Sequence, residues 1–415
     1  MEISKYTKYI DRTFWVLYFF LLAVAIIELF SASSMLVFKE GNSILGPIGR
    51  QILFLLAGCL LAFVCQFVRS KYLTKMGYII LGFALLCLYS LLIPGNPYAV
   101  TFNGATRWIR LAGIVFQPAE VGKLGLIIVV ADLLTKAKTD AEKRKAFYQT
   151  LLLTAVTCLP IMKGNLSTAL LLAGIVLLMW FLARVPWKYI LVTIAAALVM
   201  VVAAYFVVEY AYVRTGKKAV FFKRAPMQVK RVDDFFAERK QPATTEFRIT
   251  DDNRQRSLSK VAVMRGGWFG VGPGQSQERD YLPLAYEDYI FAIIVEESGV
   301  FGACALIFLY LAILFRACFA STKFRGDERA MLTVMGLALM ITCQAFVSMA
   351  VSVGLGPVTG QPLPLISHGG TSAIVTSLYF GIMMAVSREQ EQMRDKQKTV
   401  IIESNQDVPV VNLDE

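Results

Sequence analysis

Charge is scarce in this chain: Asp, Glu, Lys and Arg make up 17% of its 415 residues, where an ordinary soluble domain carries roughly a quarter. That excludes a soluble enzyme and a disordered chain. There is a single histidine, His368, and the seven cysteines form no CxxC pair and no spacing with a partner His. Neither a disulfide scaffold nor a zinc site is indicated. Cys59, Cys65, Cys87, Cys158, Cys304, Cys318 and Cys343 read as small apolar residues in or beside hydrophobic runs. No internal repeat is visible, so an inverted-repeat transporter finds no support.

What is abundant is apolar: 56% of the residues are hydrophobic and the mean hydropathy is +0.57. The pattern predicts an all-α integral membrane protein, a single polytopic domain over 1–387, with spans at 14–36, 51–68, 76–94, 118–134, 149–162, 168–183, 189–210, 288–315, 330–355 and 371–387. The fifth is short for a crossing and is expected to tilt, or to end in a re-entrant stretch at Lys163-Gly164-Asn165. Lys5, Lys8 and Arg12 precede a first apolar run longer than a signal-peptide core, which reads as an uncleaved signal anchor. Basic residues in short loops set the orientation, because Lys and Arg stay on the cytoplasmic side during insertion. They crowd one side of the predicted membrane, as at Lys143-Arg144-Lys145, and place both termini in the cytoplasm. A long outer loop of about 211–287, between spans seven and eight, carries fifteen basic and nine acidic residues. Either it lies on anionic headgroups or it gathers an anionic substrate. The segment 388–415 is polar and is expected to be a disordered cytoplasmic tail.

Four stretches put polar residues where a membrane makes them costly. Arg107 and Trp108 precede Gln117-Pro118, and Pro118 suits a first helical turn, so Glu120 and Lys123 share a face just inside the fourth span. The pair is either packing glue or part of a site facing protein or water. The glycine-rich run Gly266–Gly274, followed by Ser276 and Arg279, is not a dinucleotide fingerprint, since no strand precedes it. By itself it reads as a tight interfacial loop. Asp288 stands at the outer mouth of the eighth span, with Glu296 and Glu297 about two turns deeper. An acid there is either a helix cap or a general base facing a wet cleft. The Pro- and Gly-rich run from Gly356 to Ser372, holding Ser367 and His368, cannot be regular helix, so protein or water must satisfy its backbone.

Together these stretches resemble the SEDS family of polytopic cell-wall polymerases over essentially the whole chain. The resemblance rests on Gly104-Ala105-Thr106-Arg107-Trp108 with Gln117, Glu120 and Lys123, on the Gly270–Ser276 loop, on Asp288-Tyr289-Ile290-Phe291 with Glu296-Glu297, and on Thr359–Pro364 with Gly369–Ser372. Asn165-Leu166-Ser167-Thr168-Ala169 and the ending Ala385–Arg388 are more similar to the division-type than to the elongation-type branch. Three departures stand out: Lys163-Gly164-Asn165 where Glu-Pro-Asp is usual, His368 where Tyr is common, and Tyr286-Glu287 where His-Thr is common.

The resemblance implies a peptidoglycan glycosyltransferase that polymerises lipid II on the outer face of the cytoplasmic membrane, at the division septum. Asp288 would be the general base, and Arg107, Lys123 and Arg279 would meet pyrophosphate. Glu120 would orient Lys123, and Gln117, Trp108, Ser276, Ser367, His368 and Ser372 complete the substrate-binding set. The partners implied are lipid II, undecaprenyl-diphosphate-linked glycan, a class B penicillin-binding protein and other division-complex proteins, with no nucleic acid. The resemblance fixes no cofactor, and a divalent cation, Mg or Mn, is an open alternative that Glu120 could help hold. A lipid II flippase and a scaffold for a crosslinking enzyme are the competing readings. The orientation makes a direct prediction: a reporter that fluoresces only in cytoplasm is bright when fused after Glu415 and dark when inserted after Lys230. The reverse pattern contradicts it.

Overall fold

The computed structural model describes residues 9–32, 45–102, 105–111, 113–215, 253–282, 288–324 and 327–406. Its long helices are α1 (Arg12–Ala32), α2 (Leu45–Cys65), α3 (Ser70–Ser90), α4 (Pro118–Lys136), α5 (Asp140–Gly164), α6 (Leu166–Leu182) and α7 (Trp187–Thr215), then α8 (Arg254–Gly266), the short α9 (Glu278–Tyr281), α10 (Ile290–Thr322), α11 (Glu328–Ser352) and α12 (Thr371–Gln406). Each of the ten apolar segments overlaps one of these. Six helices among the described residues are long and apolar enough to cross a membrane: α1, α2, α3, α5, α10 and α11.

Three expectations are corrected. The chain is not wholly helical, because β1 (Ala99–Phe102), β2 (Ala105–Leu111) and β3 (Ile114–Phe116) form an antiparallel sheet in the order β1-β2-β3. The alternation in Ala105–Leu111 carries that signal, with Ile109 buried and Arg110 exposed. The fifth helix is not short. It starts at Asp140, where the Thr139 hydroxyl accepts the Glu142 amide and the Glu142 carboxylate returns the bond, and it reaches Gly164. Lastly, 388–406 do not form a disordered tail but continue α12. Most of the expected outer loop lies outside the described residues, as do Gly104, Pro283, Tyr286 and Glu287.

Helices α4 and α11 form the centre. Fifteen of the nineteen residues of α4 are buried, Glu120, Lys123 and Asp132 among them, so it is surrounded by protein. It approaches α3 closely: a Cβ on Gly125 would stand 2.7 Å from the Leu81 nitrogen.

One end of the bundle is fastened by side chains. Asp11 precedes α1 and accepts two bonds from Arg316 of α10, at 3.1 and 2.5 Å, and one from Ser387 of α12 at 2.8 Å. The next residues of α12 each reach a different helix end. Arg388 donates to the Phe67 carbonyl, Glu389 accepts the Ser70 amide that opens α3, and Gln390 donates to Asp327, which caps α11. Helix ends leave orphan amides and carbonyls, and these consecutive side chains meet them.

Helix α10 is broken inside its length. Gly299 has φ +69° and ψ −168°, which frees the Glu296 and Glu297 carbonyls and the Val300 and Phe301 amides. The loop after α8 fills the break with backbone. Val271 and Gly272 donate to Glu296 and Glu297, while Gly267 and Trp268 accept from Val300 and Phe301. Beside the break Trp268 and Phe269 pack on Phe301, and all three are exposed at the bundle surface, as suits an interfacial loop. Two glycine substitutions separate strain from collision. Gly95→Ala meets open space at φ +78° and is expected to cost about 1–2 kcal/mol. Gly270→Ala, also at φ +78°, drives a Cβ to 2.1 Å from the Glu297 carbonyl, and thermal unfolding in detergent should show the larger loss. Equal losses contradict the docked loop.

Candidate active site

Four separate segments converge at Gly360. This residue has φ +64°, and a Cβ placed on it would stand 3.7 Å from Arg107 Nη1, 3.8 Å from Asp288 Oδ2 and 4.0 Å from Asn165 Nδ2. A guanidinium and a carboxylate therefore face the same glycine from opposite parts of the sequence. Arg107 is carried by β2, and its Nε donates to the Gly164 carbonyl at 2.7 Å, where α5 ends. Asp288 stands outside α10, because the helix begins at Ile290 with Tyr289 in the N-cap position. A hydroxyl from α11, Ser352, reaches the Asp288 carbonyl at 3.4 Å.

The strip that holds Gly360 is fixed residue by residue. Asn165 Nδ2 donates to the Gly360 carbonyl at 3.3 Å, Gln361 Nε2 donates to Thr168 Oγ1 at 2.7 Å, and Gln344 Nε2 donates to the Pro362 carbonyl at 3.0 Å. Gln344 in turn accepts from Lys123 at 2.8 Å, and Lys123 pairs with Glu120 at 2.6 Å. Lys123 has no exposed surface and Glu120 is 5% exposed. The ammonium commits two of its three donors inside the protein, and its action on the site runs through Gln344 and the strip. Gln117, half-buried, opens α4 through its carbonyl, which accepts the Glu120 amide. Trp108 is half-buried and pairs with Val100 across the sheet.

The other sequence-predicted residues join different neighbourhoods. The Ser276 hydroxyl donates to Glu296 at 2.5 Å and accepts the Arg279 amide, while Arg279 Nη1 donates to the Ser31 carbonyl at 2.8 Å. Ser31 also bonds Glu297, and Arg265 lies 3.7 Å from Glu296. Glu296 and Glu297, two costly acids inside the bundle, are thus held in a polar network. Burial beside Glu296 pushes the Glu278 carboxyl above its ordinary range. Ser367 closes a turn by accepting the Leu363 amide, and the Ser372 amide bonds the Gly369 carbonyl at the start of α12. His368 is half-buried between them, and Gln51 of α2 accepts the Gly370 amide.

Over residues 11–392 the chain matches the model of the FtsW/RodA/SpoVE family, described as cell cycle protein. It belongs to that family. A family relative from Saccharophagus degradans, named a probable peptidoglycan glycosyltransferase FtsW, is 32% identical over 83% of this chain and 84% of its own. One of the same name from Enterococcus hirae is 29% identical over 92% of both. Among solved structures, a chain from work on structural coordination of polymerization and crosslinking by a peptidoglycan synthase complex superposes with a TM-score of 0.68 at 25% identity, over 91% of this chain and 98% of that one. The rod shape determining protein RodA of Thermus thermophilus gives 0.63 at 24% identity, over 92% and 97%, and shares the fold.

The divalent-cation alternative invoked Glu120 as a ligand. No three His, Cys, Asp or Glu side chains converge among the described residues, and the Glu120 carboxylate already holds Lys123. Asn165, Thr168, Gln344 and Gly360 were not among the predicted site residues, although Gln344 lies in an apolar run and Asn165 departs from the family pattern. The buried pair has its own test. Lys123→Met strands the Glu120 carboxylate and should cost about 3–5 kcal/mol, while adding Glu120→Gln should restore most of it. A double variant no more stable than the single one contradicts the pairing.

Proposed function

We propose that this protein polymerises lipid II into glycan strands, with Asp288 as general base and Arg107 as the cation that meets pyrophosphate. The observation that carries the reading is the convergence of Asp288 Oδ2 and Arg107 Nη1 on Gly360. Transfer needs a proton removed from the attacking sugar hydroxyl as its oxygen bonds the anomeric carbon of the growing strand. It also needs positive charge where the bond to undecaprenyl diphosphate breaks and the electron pair leaves on phosphate. Asp288 would take the proton, and the fork of Arg107 matches phosphate geometry. The relatives named as glycosyltransferases support the chemistry.

The wider arrangement belongs to the same proposal. A single domain over 1–387 crosses the cytoplasmic membrane ten times, both termini lie in the cytoplasm, and the outer loop of about 211–287 and the Asp288 site face outward. The similar chain in a peptidoglycan synthase complex supports a class B penicillin-binding protein as partner, and the FtsW-named relatives support work at the division septum. Arg279, Ser276, Ser367, His368 and Ser372 would line the path of the substrate or its prenyl tail.

A carrier that only moves the same lipid needs the cation but no base. In a lipid II polymerisation assay with the cognate transpeptidase, Asp288→Asn should lower the rate by about 100-fold or more, the scale of a lost general base. Full activity of that variant contradicts the reading and favours transport.

A further inference from the structure

We propose that Asn165 is a positioning residue for this reaction: its amide holds the Gly360 strip between Arg107 and Asp288 and adds no charge beside the base. The inference rests on the assignment of Asp288 above. Asn165 occupies the single-residue elbow between α5 and α6, with its amide donating to the Ile161 carbonyl at 2.7 Å. Its side-chain carbonyl caps α6 by accepting the Thr168 amide at 3.3 Å, which orients the amide the other way, onto the Gly360 carbonyl at 3.3 Å. Cap and clamp are thus one group in one rotamer. Three residues on, Thr168 holds Gln361, so the first turn of α6 grips two consecutive residues of the strip.

The residue is 6% exposed, and it sits at the elbow that also supplies the Gly164 carbonyl to Arg107. A displaced Gly360 would intrude on the space that the guanidinium and the carboxylate share. The neutrality of the amide has a separate effect. Arg107 on β2 faces the corner, Lys260 of α8 packs its Cε against Gly354 two residues past Ser352, and Lys163 ends α5 at the surface. Against these cations, a carboxylate at 165 would place a second negative charge near Asp288 and make its ionisation harder. A base must be ionised to work, so its activity falls on the acid side of its pKa. Raising that pKa moves the acid limb to higher pH.

The test measures kcat and KM against pH for lipid II polymerisation by the full chain with its transpeptidase. Asn165→Ser keeps a capping oxygen but lacks the amide, and should lose kcat by about tenfold with KM little changed, the cost of one misplaced group. Asn165→Asp keeps the cap and adds charge, and should move the acid limb of kcat/KM up by about one pH unit. Wild-type kcat in Asn165→Ser, or an unmoved limb in Asn165→Asp, overturns the proposal. Asp288→Asn run in parallel separates the failures. If it is inactive while the Asn165 variants match wild type, only the positioning role falls, and if it is active, the base assignment falls first.

Discussion

A strip of non-helical backbone, Gly360-Gln361-Pro362, runs among the helices, half-buried at Gly360 and Pro362, and its polar groups need partners that lipid cannot supply. Asn165, Thr168 and Gln344 supply them from two helices. Those partners are themselves committed elsewhere: Asn165 caps α6, and Gln344 accepts from a lysine that neutralises Glu120. An unpaired charge or amide at this depth would cost several kcal/mol, so the network is close to all-or-none. The geometry of Arg107 and Asp288 around Gly360 is its consequence.

The rest of the fold supplies rigidity around that strip. At one end the consecutive side chains from Ser387 to Gln390 tie α12 to the starts or ends of α1, α2, α3 and α11. Above it the broken α10 is repaired by the backbone of the glycine loop, which leaves Glu296 and Glu297 turned inward onto Ser276 and Ser31. Asp288 stands just before this braced helix, and Ser352 of α11 reaches its carbonyl.

Much of this was legible in the sequence because hydrophobic runs need no knowledge of partners. Every apolar segment coincides with a helix, and the Glu120–Lys123 pair follows from helical spacing alone. What escaped notice depends on contacts across long separations. Asn165 meets Gly360 from 195 positions away, Thr168 meets Gln361 from 193, and Lys123 meets Gln344 from 221. A departure from a family pattern could mark Asn165 as unusual but not say what it holds. The sheet and the true start of α5 were missed for local reasons. Seven residues of alternation are faint among long apolar runs, and the charged first turn of α5 hid a helix whose capping box, Thr139 with Glu142, was in plain view.

The central claim is that Arg107 and Asp288 act as one site on one transfer, and a double-mutant cycle on the single-turnover rate of lipid II polymerisation measures it most directly. The account predicts that Arg107→Ala combined with Asp288→Asn is no slower than the slower single variant, because either change already disables the shared step. Losses that simply multiply would mean that the two groups act independently of one another, and would contradict it.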